Sequence, residues 1–201
     1  MLYLSEMKRL LAILILVLTF PTPSWADDIR DFQIEGMSVG DSALDYFSEN
    51  EIKKNSKNFF KKKDYTLVQN DKYSFFETYD AIDFIYKTND NDYKIKSLTG
   101  VLYYTNNIKD CYPKLKSIEE NINSEVGDKT KKRSGNQETH RADPTGKSNY
   151  SYVYFDFKSG HSILITCYDY SKEDGGQDHL AVTFVTKEVK DFFNKNPYEP
   201  Y

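Results

Sequence analysis

Two cysteines are the side chains of this chain whose types and spacing most clearly point to chemistry. Cys111 and Cys167 are the only cysteines among its 201 residues. Cys167 shares one face of a predicted strand with Ile163 and Ile165, and Cys111 begins the apolar stripe of a predicted helix. A helix packed on that face would bring both sulfurs into one buried layer. We therefore predict a Cys111–Cys167 disulfide, which would stabilise the fold by about 4 kcal/mol through closure of a loop of about 57 residues.

The histidines offer a catalytic alternative. If residues 171–177 close a simple hairpin, His179 lies opposite Asp169, and such a carboxylate–imidazole pair could serve a small hydrolase. A Cys167–His161 nucleophile pair would instead need a free thiolate, which an oxidising compartment disfavours. The sequence has no His-Glu-x-x-His helix and no local histidine cluster. We therefore predict no metal site and no cofactor.

Two further segments could bind a ligand. A tyrosine stripe is predicted on the sheet face opposite Cys167, where an uncovered stripe would be a platform for a sugar or a peptide; its members are Tyr150, Tyr152, Tyr154, Tyr168 and Tyr170. The alternative is that these rings pack beneath a helix or a loop. Residues 128–149 are basic and contain no strong hydrophobic residue, which predicts a long mobile loop. That loop could contact an anionic envelope component, although solvated charge is the simpler interpretation. An acidic Gly-Gly loop near Glu173 has no EF-hand spacing and is interpreted as a solvated hairpin tip.

Residues 1–26 have the pattern of a secretory signal peptide. Met7-Lys8-Arg9 is a short basic region, residues 10–20 carry no charge, and Ser24 and Ala26 place small residues at the −3 and −1 positions. The apolar run is shorter than the ~20 residues that span a bilayer, and no lipidation cysteine follows it. We predict cleavage after Ala26 and a periplasmic or secreted protein with no transmembrane anchor after processing. In that compartment a pair of cysteines is expected to be oxidised.

The composition limits the class of partner and the number of domains. Removal of residues 1–26 leaves 25 basic and 30 acidic residues, a net charge of −5. Nucleic-acid binders usually carry a concentrated positive field, so no nucleic-acid partner is predicted. The remaining 175 residues are enough for one domain. We predict a domain over 27–196 and an unstructured tail over 197–201.

The elements that would position these residues form an α+β fold. Hydrophobic spacing predicts helices at 42–54 and 110–126, the second carrying Cys111. The remaining segments predict an antiparallel sheet of about six strands in two meanders, with these helices packed on one face. A final short helix is predicted after Thr186, which would cap it. Residues 53–63 are dense in lysine and asparagine, and we interpret them as an exposed connection held by Phe59 and Phe60.

The segment Ile34-Glu35-Gly36-Met37-Ser38-Val39-Gly40-Asp41-Ser42-Ala43-Leu44-Asp45-Tyr46-Phe47 resembles the opening of small uncharacterised secreted proteins from AT-rich Gram-negative bacteria. These look similar in their Gly-Asp-Ser helix start, aromatic meander and Cys-headed helix. The resemblance implies an exported protein but no activity, ligand or catalytic residue. The Gly-Met-Ser start is also loosely similar to that of small outer-membrane assembly lipoproteins. The missing lipidation cysteine argues against membership in that group.

The sequence thus favours a non-catalytic binding or envelope-support module in the periplasm. Its predicted partner is an envelope protein, a peptide or a glycan. The alternative is a small periplasmic hydrolase that uses His179 and Asp169.

Overall fold

The computed structural model describes residues 28–71, 73–105, 107–140 and 142–196. The predicted signal peptide, 1–26, and the predicted tail, 197–201, lie outside the described residues. Within the described part, the chain forms one antiparallel sheet, three α-helices and one disulfide, which confirms the α+β class. No helix in these ranges is both long enough and apolar enough to cross a bilayer.

The sheet has eight strands, so the prediction of about six strands in two meanders is wrong. In chain order they are β1 Ser56–Lys57, β2 Tyr65–Asp71, β3 Ala81–Lys87, β4 Ser97–Tyr103, β5 Thr130–Thr139, β6 Asn149–Phe157, β7 Ser162–Asp169 and β8 His179–Val185. The spatial order is β1-β2-β3-β4-β8-β7-β6-β5, and every neighbouring pair is antiparallel. The last strand in sequence therefore lies at the centre of the sheet.

The three helices are α1 Glu49–Asn55, α2 Cys111–Val126 and α3 Lys187–Lys195. The bounds of α2 agree with the prediction within one residue, whereas the predicted helix at 42–54 is divided. A single 3₁₀ turn covers Ala43–Asp45, and the N–H of Ala43 donates to the carbonyl of Tyr93. A new helix, α1, begins after Ser48, whose hydroxyl accepts the N–H of Glu51 in a capping box.

Helices lie on both faces of the sheet, not on one as predicted. We call the face that carries Phe84, Phe155 and Phe184 the core face, because α2 and the N-terminal segment pack there. The other face carries Asp83, Thr183 and Tyr150, and we call it the open face. Helix α3 packs on one end of the open face, with Val189 and Phe192 against Tyr65, Ile85 and Val185. Among the described residues, no other helix packs on the open face.

The Cys111–Cys167 disulfide joins α2 to β7 on the core face, as predicted. Both cysteines are fully buried, and their Cα atoms are 6.1 Å apart. The bond fastens the long crossover from β4 to β5 onto the sheet. It also removes the alternative Cys167–His161 nucleophile, because neither sulfur is a free thiol.

The basic segment 128–149 is not a mobile loop along its whole length, because ten of its residues form β5. Lys132 pairs with Glu119 of α2 at 2.9 Å, and the Arg133 guanidinium donates to Asp156 at 2.8 Å. Most of the side chains of β5 are exposed, since it is an edge strand. Charged side chains therefore lie along this solvent-exposed edge of the sheet.

Candidate functional site

A groove runs across the open face, and the two central strands form its floor. Their side chains there are short: Ser97 and Thr99 on β4, and Ala181 and Thr183 on β8. The Thr99 and Thr183 hydroxyls are 2.9 Å apart and hydrogen-bonded. The groove has a volume of about 620 Å³, within the range of small-molecule sites. Short side chains at the centre of the sheet therefore leave room for a ligand.

Stacked rings form one side of this groove, and we call them the aromatic wall; its members are His140, Tyr150, Tyr168, Tyr170 and His179. Tyr150 and Tyr168 are directly opposite on β6 and β7 and stack at 6.2 Å between ring centroids. The His179 ring stacks on Tyr168 at 4.8 Å. All five residues are half-buried, so part of each ring remains accessible from the groove.

The predicted tyrosine stripe lies on one face, but its members differ in position. Tyr150, Tyr168 and Tyr170 line the groove, whereas Tyr152 and Tyr154 continue the row along β6. The Arg133 guanidinium lies 3.7 Å above the centre of the Tyr154 ring, a cation–π contact that closes this end of the row. The stripe is thus partly a wall of the groove and partly a support for the sheet edge.

His140 belongs to the aromatic wall although no sequence pattern points to it. Its ring meets Tyr150, Tyr168 and Tyr170 edge-on, at centroid distances of 5.4 to 6.1 Å. Its Nδ1 is buried and has no hydrogen-bond partner among the described residues. Sequence analysis missed this residue because it lies in the segment interpreted as a mobile loop.

A buried carboxylate organises the turn that follows His140. Asp143 is 5 % exposed, and it accepts the backbone N–H groups of Thr145 and Ser148, each at 2.7 Å. Burial alone would raise the pKa of Asp143, but the hydroxyl and N–H donors from Ser148 and Thr145 lower it well below its usual range. The N–H of Asp143 also donates to the carbonyl of His140 at 3.1 Å. The turn after β5 is thus fixed against the wall.

The predicted His179–Asp169 pair does not form across β7 and β8. The register places Tyr168, not Asp169, opposite His179, so the Asp169 and His179 side chains leave the sheet on opposite faces. The pairing register of β7 with β8 therefore differs by one residue from that of the simple hairpin predicted for the 171–177 connection. His179 Nδ1 instead lies 2.8 Å from the carbonyl of Gln177, and burial lowers the pKa of the imidazole.

The groove contains one carboxylate among its described lining residues, Asp83. Burial raises the pKa of Asp83 to about 6, and Gln69 Nε2 donates to its Oδ2 at 3.1 Å. No lysine or arginine is among the described residues that line the groove. Within the described part of the chain, no group of three or more His, Cys, Asp or Glu residues is arranged to hold a metal ion. The described lining therefore combines rings, hydroxyls, aliphatic side chains, one amide and a single acid.

Comparison with known proteins finds no matching family model, no matching curated sequence and no matching solved structure. The functional argument therefore rests on the geometry of the groove.

Proposed function

We propose that this chain is an exported, non-catalytic glycan-binding module whose ligand lies in the groove of the open face. The observation that carries the proposal is the aromatic wall beside a floor of hydroxyl groups. A sugar ring has an apolar face of C–H groups that stacks on tyrosine, and its hydroxyls pair with short polar side chains. Tyrosine suits both demands because an apolar ring carries a polar end.

The position of the groove favours a glycan over a peptide. A peptide that is recognised by strand addition pairs with a sheet edge, where backbone groups are unpaired. This groove crosses the centre of a sheet, and there β4 and β8 are paired with each other over seven residues. Recognition in the groove therefore depends on side chains, as it does for sugars.

The charges of the groove favour a neutral ligand and binding over hydrolysis. The described lining residues contain no cation to attract phosphate or sulfate. Glycoside hydrolysis by the common mechanisms needs two carboxylates that flank the scissile bond. Asp83 has no second acid beside it in the described lining of the groove, so we assign it to ligand hydroxyls rather than to catalysis.

The test is a calorimetric titration of the purified protein with neutral chitooligosaccharides. We expect binding that weakens at least tenfold in Tyr150→Ala, which removes one ring of the aromatic wall. Tyr112→Ala is the matched control, because Tyr112 is a half-buried tyrosine of α2 on the other side of the sheet. Binding of extended peptides without any sugar, or equal losses in both variants, would overturn the proposal.

A further inference from the structure

A cluster of lysines lies around the connection from β1 to β2, near two phenylalanines, Phe59 and Phe193, that also line the groove. The range 53–63 contains six lysines and no acidic residue, although the whole chain has a net charge of −4. Phe59 and Phe60 lie between Lys57 and Lys61 in this range. The groove does not account for these lysines, since none of them is among its described lining residues.

Phe60 anchors this connection on α3. Its ring contacts Phe192 edge-on at 5.5 Å and Phe193 at 5.7 Å, and Phe59 lies edge-on to it at 5.2 Å. Phe59 and Phe193 are consequently brought to one place on the surface, where they are 39 % and 38 % exposed. We call these two residues with Lys62, Lys63 and Lys195 the lysine–phenylalanine patch.

The patch keeps a positive charge after its ion pairs are counted. Lys62, Lys63 and Lys195 are exposed and line a depression of about 640 Å³ beside Phe192. Three acids share that depression: Asp64, Glu188 and Asp191. Glu188 is bound by Lys87 at 2.5 Å, and Asp191 is bound by Lys187. Asp64 is then the one remaining acid that lines the depression with the three exposed lysines, so the net charge of the described lining is positive.

We propose that the lysine–phenylalanine patch docks the protein on an anionic phospholipid surface. Exposed aromatic rings enter the boundary between headgroups and acyl chains, and lysines around them are attracted to anionic lipids. Charge complementarity selects this occupant, because the patch is cationic on an acidic chain. The patch shares Phe59 and Phe193 with the lining of the groove, but the aromatic wall takes no part in it, so a change in that wall separates the two proposals.

A tryptophan reporter tests the apolar half of this proposal. Trp25 is the single tryptophan of the sequence, so a chain that begins at Asp27 contains none. The described fold lies wholly within 28–196, and circular dichroism and the melting temperature check that this chain folds. In Phe59→Trp we expect a blue-shifted emission and quenching by brominated lipid on vesicles of phosphatidylglycerol and phosphatidylethanolamine. Leu44→Trp, at another exposed apolar position, is the control and should show neither change.

Cosedimentation with the same vesicles tests the charged half. Each lysine near an anionic surface contributes about fivefold to binding, so Lys62→Gln with Lys63→Gln should weaken vesicle binding about 25-fold. The matched control changes Lys109 and Lys114, which are exposed in and before α2, and should leave binding unchanged. Added salt should weaken wild-type binding because it screens the attraction.

Three results would overturn the inference: unchanged Phe59→Trp emission with vesicles, equal binding to pure phosphatidylcholine, or equal losses in the two lysine pairs. Tyr150→Ala distinguishes the two proposals. This variant should lose sugar binding and keep vesicle binding if both proposals are correct. A negative result in the sugar titration does not overturn the phospholipid proposal, and a negative result with vesicles does not overturn the glycan proposal.

Discussion

Burial raises the pKa of Asp83 to about 6, above its value of 3.8 in water, so ionisation of this carboxyl opposes folding. Above pH 6 the folded protein carries an ionised acid in a poorly solvated site. Below pH 4 the carboxyl is protonated in both the folded and the unfolded chain, and the cost disappears. The contribution of Asp83 to stability therefore becomes less favourable as the pH rises through this window.

Asp83→Asn should stabilise the protein at neutral and alkaline pH. We expect the free energy of unfolding to rise by about 1 to 3 kcal/mol near pH 8 and to be unchanged near pH 3.5. Urea denaturation at several pH values measures this difference. Asp92→Asn is the control, because Asp92 is exposed in the turn before β4. A gain that does not depend on pH would contradict the argument.

Single residues were where sequence reasoning was least complete. The pairing of His179 with Asp169 failed by one position, because a strand exchanges faces at every residue and the turn length sets the register. The role of Glu35 had no sequence signal either. Its carboxylate accepts three successive N–H groups, those of Glu77, Thr78 and Tyr79, from 42 to 44 residues away. Such contacts depend on tertiary structure and leave no local pattern.

At the level of elements, β5 shows why an edge strand can be mistaken for a loop. Strand prediction depends on alternation of apolar and polar residues, and alternation arises where one face is buried. Both faces of β5 are largely exposed, and lysines keep its free edge from pairing with other chains. Helix α2 was predictable for the converse reason, since its buried residues recur every three or four positions.

The disulfide is the contact between elements whose removal has the clearest expected cost. Replacement of both Cys111 and Cys167 by alanine should lower the free energy of unfolding by about 4 kcal/mol, because the unfolded chain regains the entropy of an open loop. Guanidinium denaturation of both proteins measures the difference. Ile163→Val, a conservative change on the same buried face of β7, should cost about 1 kcal/mol and controls for local packing. A loss in the double variant no larger than in this control would contradict the prediction.

For the whole molecule, the sequence was sufficient for the class of the fold but not for the assembly of its sheet. Local patterns gave α2 and the disulfide. The pairing of β4 with β8 joins residues about eighty positions apart, and no local pattern encodes it. This pairing places the two short-chained strands at the centre, and α3 covers one end of the open face only. The groove is thus a consequence of topology, which is why the tyrosines were predictable from the sequence and the cavity beside them was not.

Export and oxidation should be coupled in the whole molecule, and a cell-fractionation experiment tests this. The described fold begins directly after the predicted cleavage site: Asp28 caps a 3₁₀ turn and Ile29 is fully buried. Cleavage after Ala26 removes no described residue, so the processed chain should fold in the periplasm with its disulfide formed. Expression of the full chain in a Gram-negative host should yield periplasmic protein that begins at Asp27 by intact mass and has no free thiol when denatured. Ala26→Arg disrupts the small residue at the −1 position and should accumulate the unprocessed precursor. A full-length cytoplasmic product with two free thiols would refute export, and with it the proposed envelope role.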